Sequence, residues 1–226
     1  MSRIVEEETM SENYEAQTIV MSNDSKYYLA MKRSIDITGA LLGLIFLSWL
    51  FIIIAILIKI EDPKGPILFK QKRVGKDGKE FNMYKFRSMV SNAEELLKDL
   101  LKYNEVSGAM FKMKDDPRIT KVGKFIRKTS IDELPQLLNV LKGEMSLVGP
   151  RPALPREVKL YTSHDKQRLK VIPGCTGLWQ VSGRSNLGFK EMVELDLRYI
   201  KDSSILFDIK IIYKTVIVLF GSKDAY

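Results

Sequence analysis

The sequence predicts an α+β, mainly helical fold. An N-terminal re-entrant membrane helix and a small β-hairpin lead into a compact domain bordered by interfacial amphipathic helices. Three observations predict it. No charged residue occurs from Ile37 to Ile58. Two short alternating runs, 67–74 and 81–86, flank a Gly75-Lys-Asp-Gly78 turn signal. Helical periodicities separated by Gly- and Pro-containing loops then follow. At 226 residues the chain can bury one good core, and two large domains would be crowded.

Residues 1–26 carry a net charge of −4 and no periodicity, which marks an acidic mobile tail. They do not resemble a signal peptide, because the basic flank and the apolar run come later and no small-residue cleavage site follows. The remainder is +12 in a chain of net charge +8. A basic body suits anionic partners: nucleotide phosphates, anionic lipid or nucleic acid. The single cysteine, Cys175, permits no internal disulfide, and with His164 as the only histidine there is no soft-ligand metal site. A bound ion would be a hard one held by carboxylates and phosphates, Mg2+ first.

The membrane-inserted segment is placed at 27–61. Its uncharged stretch makes roughly 33 Å of helix, enough for a hydrocarbon core of about 30 Å. Lys32 and Arg33 precede it; Lys59, Lys64, Lys70, Lys72 and Arg73 follow. A spanning helix should show an asymmetry of charge. Cations at both ends point instead to a re-entrant hairpin with both ends on one side, bent near Ser48 and Trp49. Asp36 lies one turn after Lys32 and Arg33, which gives either a local ion pair at the membrane boundary or a solvated helix start.

A domain over 62–220 and a short tail, 221–226, complete the chain. Asp62-Pro-Lys-Gly-Pro66 breaks the helix, and Lys85 and Arg87 leave the hairpin toward the same side. Ser91 with Glu94 is a capping box, opening a surface helix to about Tyr103 before a loop over 104–116. A short basic segment follows, with Lys121, Lys124, Arg127 and Lys128 on one face.

Ser130 with Glu133 is a second capping box, and Leu134, Leu137, Leu138 and Leu141 mark the apolar stripe of the helix behind it. Asp132 then has two accounts. It is an ordinary first-turn acid suited to the helix dipole. Or it is a nucleophile, kept ionised by a helix N-terminus that also attracts phosphate. Local sequence leaves both open.

Gly149-Pro-Arg-Pro152 fixes two φ angles around Arg151, which suits bidentate phosphate binding or a plain structural turn. Beyond it lie a mixed helix around 155–170, with His164 at its surface, and a long loop over 172–185. That loop offers Trp179 as a stacking face and Arg184 as a cation. A helix over 189–200 precedes an apolar stretch, 205–220, suited to the membrane interface plane or to the core.

From about Tyr28 to Phe220 the chain resembles the bacterial sugar transferases, the small monotopic phosphoglycosyl transferases that prime glycoconjugate assembly on undecaprenyl phosphate. The stretches that carry the resemblance include Lys32-Arg33-x-x-Asp36, Phe69-Lys-Gln-Lys-Arg-Val-Gly75, Tyr84-Lys-Phe-Arg87 and Asp116-Pro-Arg-Ile-Thr-Lys-Val-Gly123. Thr129-Ser-Ile-Asp-Glu-Leu-Pro-Gln136, the segment from Asn139 to Pro152, and Pro173-Gly-x-Thr-Gly-Leu-Trp-Gln-Val-x-Gly-Arg184 complete them.

The resemblance implies a two-step exchange. Asp132 attacks the β-phosphorus of a UDP-sugar, UMP leaves, and undecaprenyl phosphate takes the phosphosugar from Asp132. Glu133 matches the second carboxylate, assisting the acceptor or Mg2+, and both acids are implied metal ligands. Lys85, Arg127, Arg151 and Arg184 match substrate-binding positions. Lys32, Arg33, Asp36 and Ser48 match the membrane anchor, although the family bends its helix at Ser-Pro and here the pair is Ser48-Trp49. The expected setting is the bacterial inner membrane, with the catalytic domain facing the cytoplasm. A homo-oligomer is compatible, and nucleic acid is not an expected partner. Two other readings are a glycosyltransferase releasing UDP and a non-catalytic basic module on the membrane surface.

Overall fold

The computed structural model describes residues 20–100, 113, 115–183 and 187–221. The apolar stretch forms two helices, α1 (Lys26–Phe46) and α2 (Ser48–Glu61), bent by 60° at their junction. Among the described residues no single helix is long and apolar enough to cross a membrane, though this bent pair passes together. The break falls at Leu47 with no proline present. Packing accounts for it, because the two halves follow different surfaces. Gly39 and Gly43 of α1 let Leu147 and Leu137 approach closely, whereas Ile54 and Ile58 of α2 bury against Phe86 and Ile126. The opposite faces stay apolar and exposed: Ile45, Phe46, Trp49, Ile52 and Ile60 are all more than half accessible.

Lys32, Arg33 and Asp36 of α1 neither pair with one another nor sit in solvent, which corrects both alternatives for Asp36. Each reaches the domain instead. Lys32 Nζ lies 2.8 Å from Asp208 and donates to Val148 O and the Tyr199 hydroxyl. Arg33 donates to Val140 O and Leu141 O. Asp36 accepts from the Ser146 hydroxyl and the Leu147 N–H. Ser48 is exposed at the start of α2.

The predicted hairpin forms as β1 (Leu68–Val74) and β2 (Glu80–Phe86), antiparallel, turning through Asp77 and Gly78, both at positive φ. Arg87 leaves it toward the end of α2, where it meets Asp62 at 2.9 Å. Helix α3 (Ala93–Leu100) starts later than the Ser91–Glu94 box requires. The Ser91 N–H is engaged by Asp62. The loop assigned to 104–116 lies mostly outside the described residues.

Helix α4 (Lys121–Lys128) is capped by Thr120, whose side chain accepts from the Gly123 N–H. A one-turn 3-10 segment, Ile131–Glu133, leads into α5 (Gln136–Lys142). The buried side of α5 is Gln136, Asn139 and Val140, so the predicted leucine stripe is only half-buried. Asn139 earns that position by bonding the Tyr84 N–H, Asn82 O and Glu144.

Strand β3 (Ser146–Val148) pairs in parallel with β4 (Gly174–Thr176), a strand inside what the sequence suggests is a loop. Between them lies only a four-residue helix, α6 (Pro155–Val158), and a 3-10 segment at Asp165–Lys170. Two helices close the chain, α7 (Phe189–Lys201) and α8 (Ile205–Gly221). Ile211 of α8 packs with Val148, Val193, Leu197 and Ile200 in the main core. Its other face, with Leu206, Ile209, Tyr213 and Ile217, is exposed, so the core role expected for 205–220 holds for one face of the helix only. Val20 and Asn23, within the segment assigned to the tail, dock on Gln167 and Ser203 O. His164 bonds Glu194 at 2.7 Å.

Candidate active site

The segment between α4 and α5 does not fold as a capping box. Ser130 takes a left-handed conformation (φ 57°), makes no side-chain cap, and accepts the Glu133 N–H through its carbonyl. A 3-10 turn has three residues per turn, so adjacent side chains diverge by about 120°. Asp132 and Glu133 therefore face different surroundings. Asp132 is 9% exposed and lines a cavity of about 690 Å³. Glu133 also lines the cavity, but its carboxylate is bonded to Lys85 Nζ at 2.6 Å, with Arg151 Nη1 at 3.6 Å.

These environments separate the two acids. Burial raises Asp132 to about 6, and Glu133 adds to the rise against the opposing pull of Lys85 and Arg127. Asp132 is thus mostly ionised at neutral pH, but burial rather than a helix N-terminus sets its basicity. Burial would also raise Glu133, yet Arg151 and Lys85 outweigh it and hold the carboxyl at about 2. Burial lowers Lys85, with Glu133 opposing. The adjacent acids therefore play unlike parts: one a basic, sparsely solvated carboxylate, the other a fixed anion locked to cations.

Arg151 is placed by the two parallel strands. The Gly149 N–H bonds Thr176 O at 2.8 Å and the Gly174 N–H bonds Pro150 O at 2.9 Å. From the hairpin, Arg73 donates to Pro152 O at 2.9 Å. Arg73 is buried, and burial with the nearby Arg151 lowers it to about 10. A Cβ on Gly174 would sit 2.0 Å from Gly149 N, so only glycine allows this approach. Lys85 (from β2), Arg127 (from α4) and Arg151 thus converge on one cavity with both acids. Arg184 lies outside the described residues.

Gln136, Thr176, Trp179 and Cys175 also line the cavity. Trp179 Nε1 is buried with no hydrogen-bond partner among the described residues. Gln136, Thr176 and Arg73 were not singled out by sequence. The only signal for Arg73 is its place in the Phe69–Gly75 run, where it reads as one more basic flank. Cys175 is pushed up by burial and is not a thiolate.

For a metal, the donor set is two adjacent carboxylates. Among the described residues no group of three or more His, Cys, Asp or Glu side chains forms a cation site. Mg2+ uses one or two carboxylates, substrate phosphates and water. The residues fit an ion that arrives with a diphosphate, not one caged by protein alone.

The site is an anion-handling centre built around one buried carboxylate and three cations, on a fold fastened to an apolar bent helix pair. The chain belongs to the bacterial sugar transferase family, whose profile matches residues 27–222. It is 52% identical over 213 residues to the galactosyl transferase CpsE of Streptococcus agalactiae serotype III (strain NEM316), covering 93% of this chain and 47% of that protein. It is 46% identical over 200 residues to the undecaprenyl-phosphate galactose phosphotransferase of Salmonella typhimurium (strain LT2), covering 87% and 42%. The exopolysaccharide production protein ExoY of Sinorhizobium fredii (strain NBRC 101917 / NGR234) is 42% identical over 199 residues, covering 86% and 88%. The chain thus spans about half the length of the first two relatives and most of the third.

Proposed function

We propose that this chain is a membrane-bound sugar-1-phosphate transferase that passes a hexose phosphate from a UDP-sugar to undecaprenyl phosphate. The observation that carries this reading is Asp132, buried at the wall of a cationic cavity with its basicity raised to about 6. Such a carboxylate can act as a nucleophile at neutral pH. The Salmonella relative is named for galactose transfer to undecaprenyl phosphate, and an Aeromonas hydrophila relative, 41% identical over 204 residues, for N-acetylgalactosamine phosphate transfer.

In the first step an Asp132 oxygen forms a bond to the β-phosphorus of the donor. The bond from that phosphorus to the bridging oxygen breaks, and UMP leaves with the electron pair. In the second step an acceptor phosphate oxygen bonds the same phosphorus, and the electron pair of the aspartyl ester returns to Asp132. Lys85, Arg127 and Arg151 screen the approach of these anions. Lys85 and Arg151 also hold Glu133 ionised and in place. Asp132 would hold Mg2+ together with the donor diphosphate, and Glu133 would join it only through the oxygen not bonded to Lys85; when bound, the ion neutralises charge on the phosphates. Trp179 lines the cavity and offers its ring to the nucleotide. The bent helix pair, with apolar faces outward and basic flanks at both ends, supports re-entry into one leaflet of the bacterial inner membrane with the domain on the cytoplasmic side.

The test is product identity and adduct mass. With undecaprenyl phosphate, Mg2+ and a panel of UDP-sugars, the chain should release UMP, and donor alone should add one hexose phosphate to the protein. Release of UDP, or full turnover by Asp132→Asn, would overturn the reading.

A further inference from the structure

The cavity lining holds two unlike sets of side chains. Lys85, Arg127 and Arg151 line it together with the acids. Two apolar pairs, Leu137 with Leu147 and Ile212 with Val216, line it as well, alongside the mutually bonded Thr176 and Thr215. The first pair is backed by the apolar helix α1: a Cβ on Gly39 would lie 2.7 Å from Leu147 Cδ1, and one on Gly43 would lie 2.9 Å from Leu137 Cδ1. The second pair belongs to α8, whose outward residues Leu206 and Tyr213 are 80% and 65% exposed. Val216 takes part in both surfaces, lining the cavity while remaining 47% exposed. Val216 therefore joins the cavity lining to the exposed apolar surface of α8.

A UDP-sugar gains little from the apolar pairs, since its phosphates, ribose and hexose are all hydrated groups. A polyprenyl phosphate fits both sets: an anion that must reach phosphorus on Asp132, attached directly to branched hydrocarbon. We propose that the apolar end seats the first isoprene units of the lipid acceptor, and that the chain leaves past Val216 along α8 toward the bilayer. This rests on the transfer reading above and adds the route by which the acceptor enters. Burial of the proximal isoprenes holds the acceptor phosphate at the cationic end. Its oxygen then displaces Asp132 from phosphorus, and the electron pair returns to the carboxylate.

The two half-reactions separate the outcomes. Val216→Trp fills the apolar end, and Ile52→Trp places the same bulk on the outward face of α2, away from the cavity lining. For Val216→Trp, adduct formation from donor alone should stay within about twofold of wild type. Its KM for undecaprenyl phosphate should rise roughly tenfold or more, on the scale of one or two buried methylenes. Ile52→Trp should leave both values unchanged. The proposal is overturned by an unchanged KM in Val216→Trp, by equal slowing of adduct formation, or by the same KM rise in Ile52→Trp. A second measurement needs no variant. A polyprenyl phosphate bearing a diazirine on its first isoprene, photolysed with wild-type protein, should label peptides from 136–147 or 205–221; labelling confined elsewhere also overturns it. Absence of any adduct on wild type would instead refute the transferase reading itself.

Discussion

The Lys85 ammonium lies 2.6 Å from Glu133 Oε1, so one carboxylate of the Asp132–Glu133 pair is neutralised while its neighbour is left to burial. Lys85 also lowers Asp132 from a distance. The pH dependence of the first half-reaction should therefore show an acid limb near 6, where Asp132 takes up a proton. Lys85→Met should move that limb to higher pH and slow adduct formation on the order of a hundredfold, the usual scale for losing one charge-stabilising donor. The check is single-turnover adduct formation across pH 5–9. A limb that stays in place in Lys85→Met contradicts the assignment.

Asp132→Asn should make the unliganded protein more stable at pH 8. Asp132 has a folded pKa of about 6, above its ordinary 3.8, so its protonated form is favoured by folding. That contribution is full below the ordinary value and is lost as pH rises through about 6. At pH 8 the buried anion is therefore a cost that Asn removes. Two units correspond to about 3 kcal/mol as a ceiling, and each kcal/mol moves a midpoint by roughly 2–4 °C in a chain of this size. Thermal unfolding in nanodiscs at pH 5 and pH 8 tests it: the gain should be larger at pH 8.

Lys32 and Asp208 form a nearly buried pair, with side chains 15% and 7% exposed. Removing one partner leaves a buried charge, a loss of roughly 3–5 kcal/mol in comparable pairs. Lys32→Met and Asp208→Asn should each lower the midpoint sharply, and the double variant should be less damaged than the two losses combined. A double-mutant cycle with no coupling would show that the pair contributes nothing.

Gly174→Ala should reduce transfer by displacing the Arg151 loop. The added methyl meets Gly149 N, a backbone atom that cannot swing aside. Overpacking of this kind costs about 1–3 kcal/mol, and the strain falls where Arg151 approaches Glu133. The expected result is a drop of tenfold or more in UMP release with the helix content unchanged by circular dichroism. Full activity would show that the loop has slack.

Much of the architecture was legible because it is written locally. Uninterrupted apolarity marks α1 and α2, and alternation around Gly75–Gly78 marks the hairpin. The parallel pairing of β3 with β4 was not legible, because three residues per strand carry no period. The Ser130–Glu133 box misled for a related reason: its residue types suit a cap, but Lys85, 48 positions earlier in the chain, draws the Glu133 carboxylate away. Asp132 was legible as a candidate, whereas its burial was not. Lys32 is the clearest case. Sequence offered it Asp36 four residues on, and the fold gave it Asp208, 176 residues on.

The contacts of Arg33 and Asp36 decide what a truncated form of this chain would lose. Arg33 closes the carbonyl end of α5 through Val140 and Leu141, and Asp36 closes the donor end of β3 through Ser146 and Leu147. A truncation that discards everything up to Glu61 would strip both closures and bare the leucines beneath Gly39 and Gly43. Trimming away the bent pair is therefore the wrong way to reduce exposed apolar surface. Recolouring the outward faces of the bent pair with polar residues, while keeping its inner face intact, is the route the packing permits.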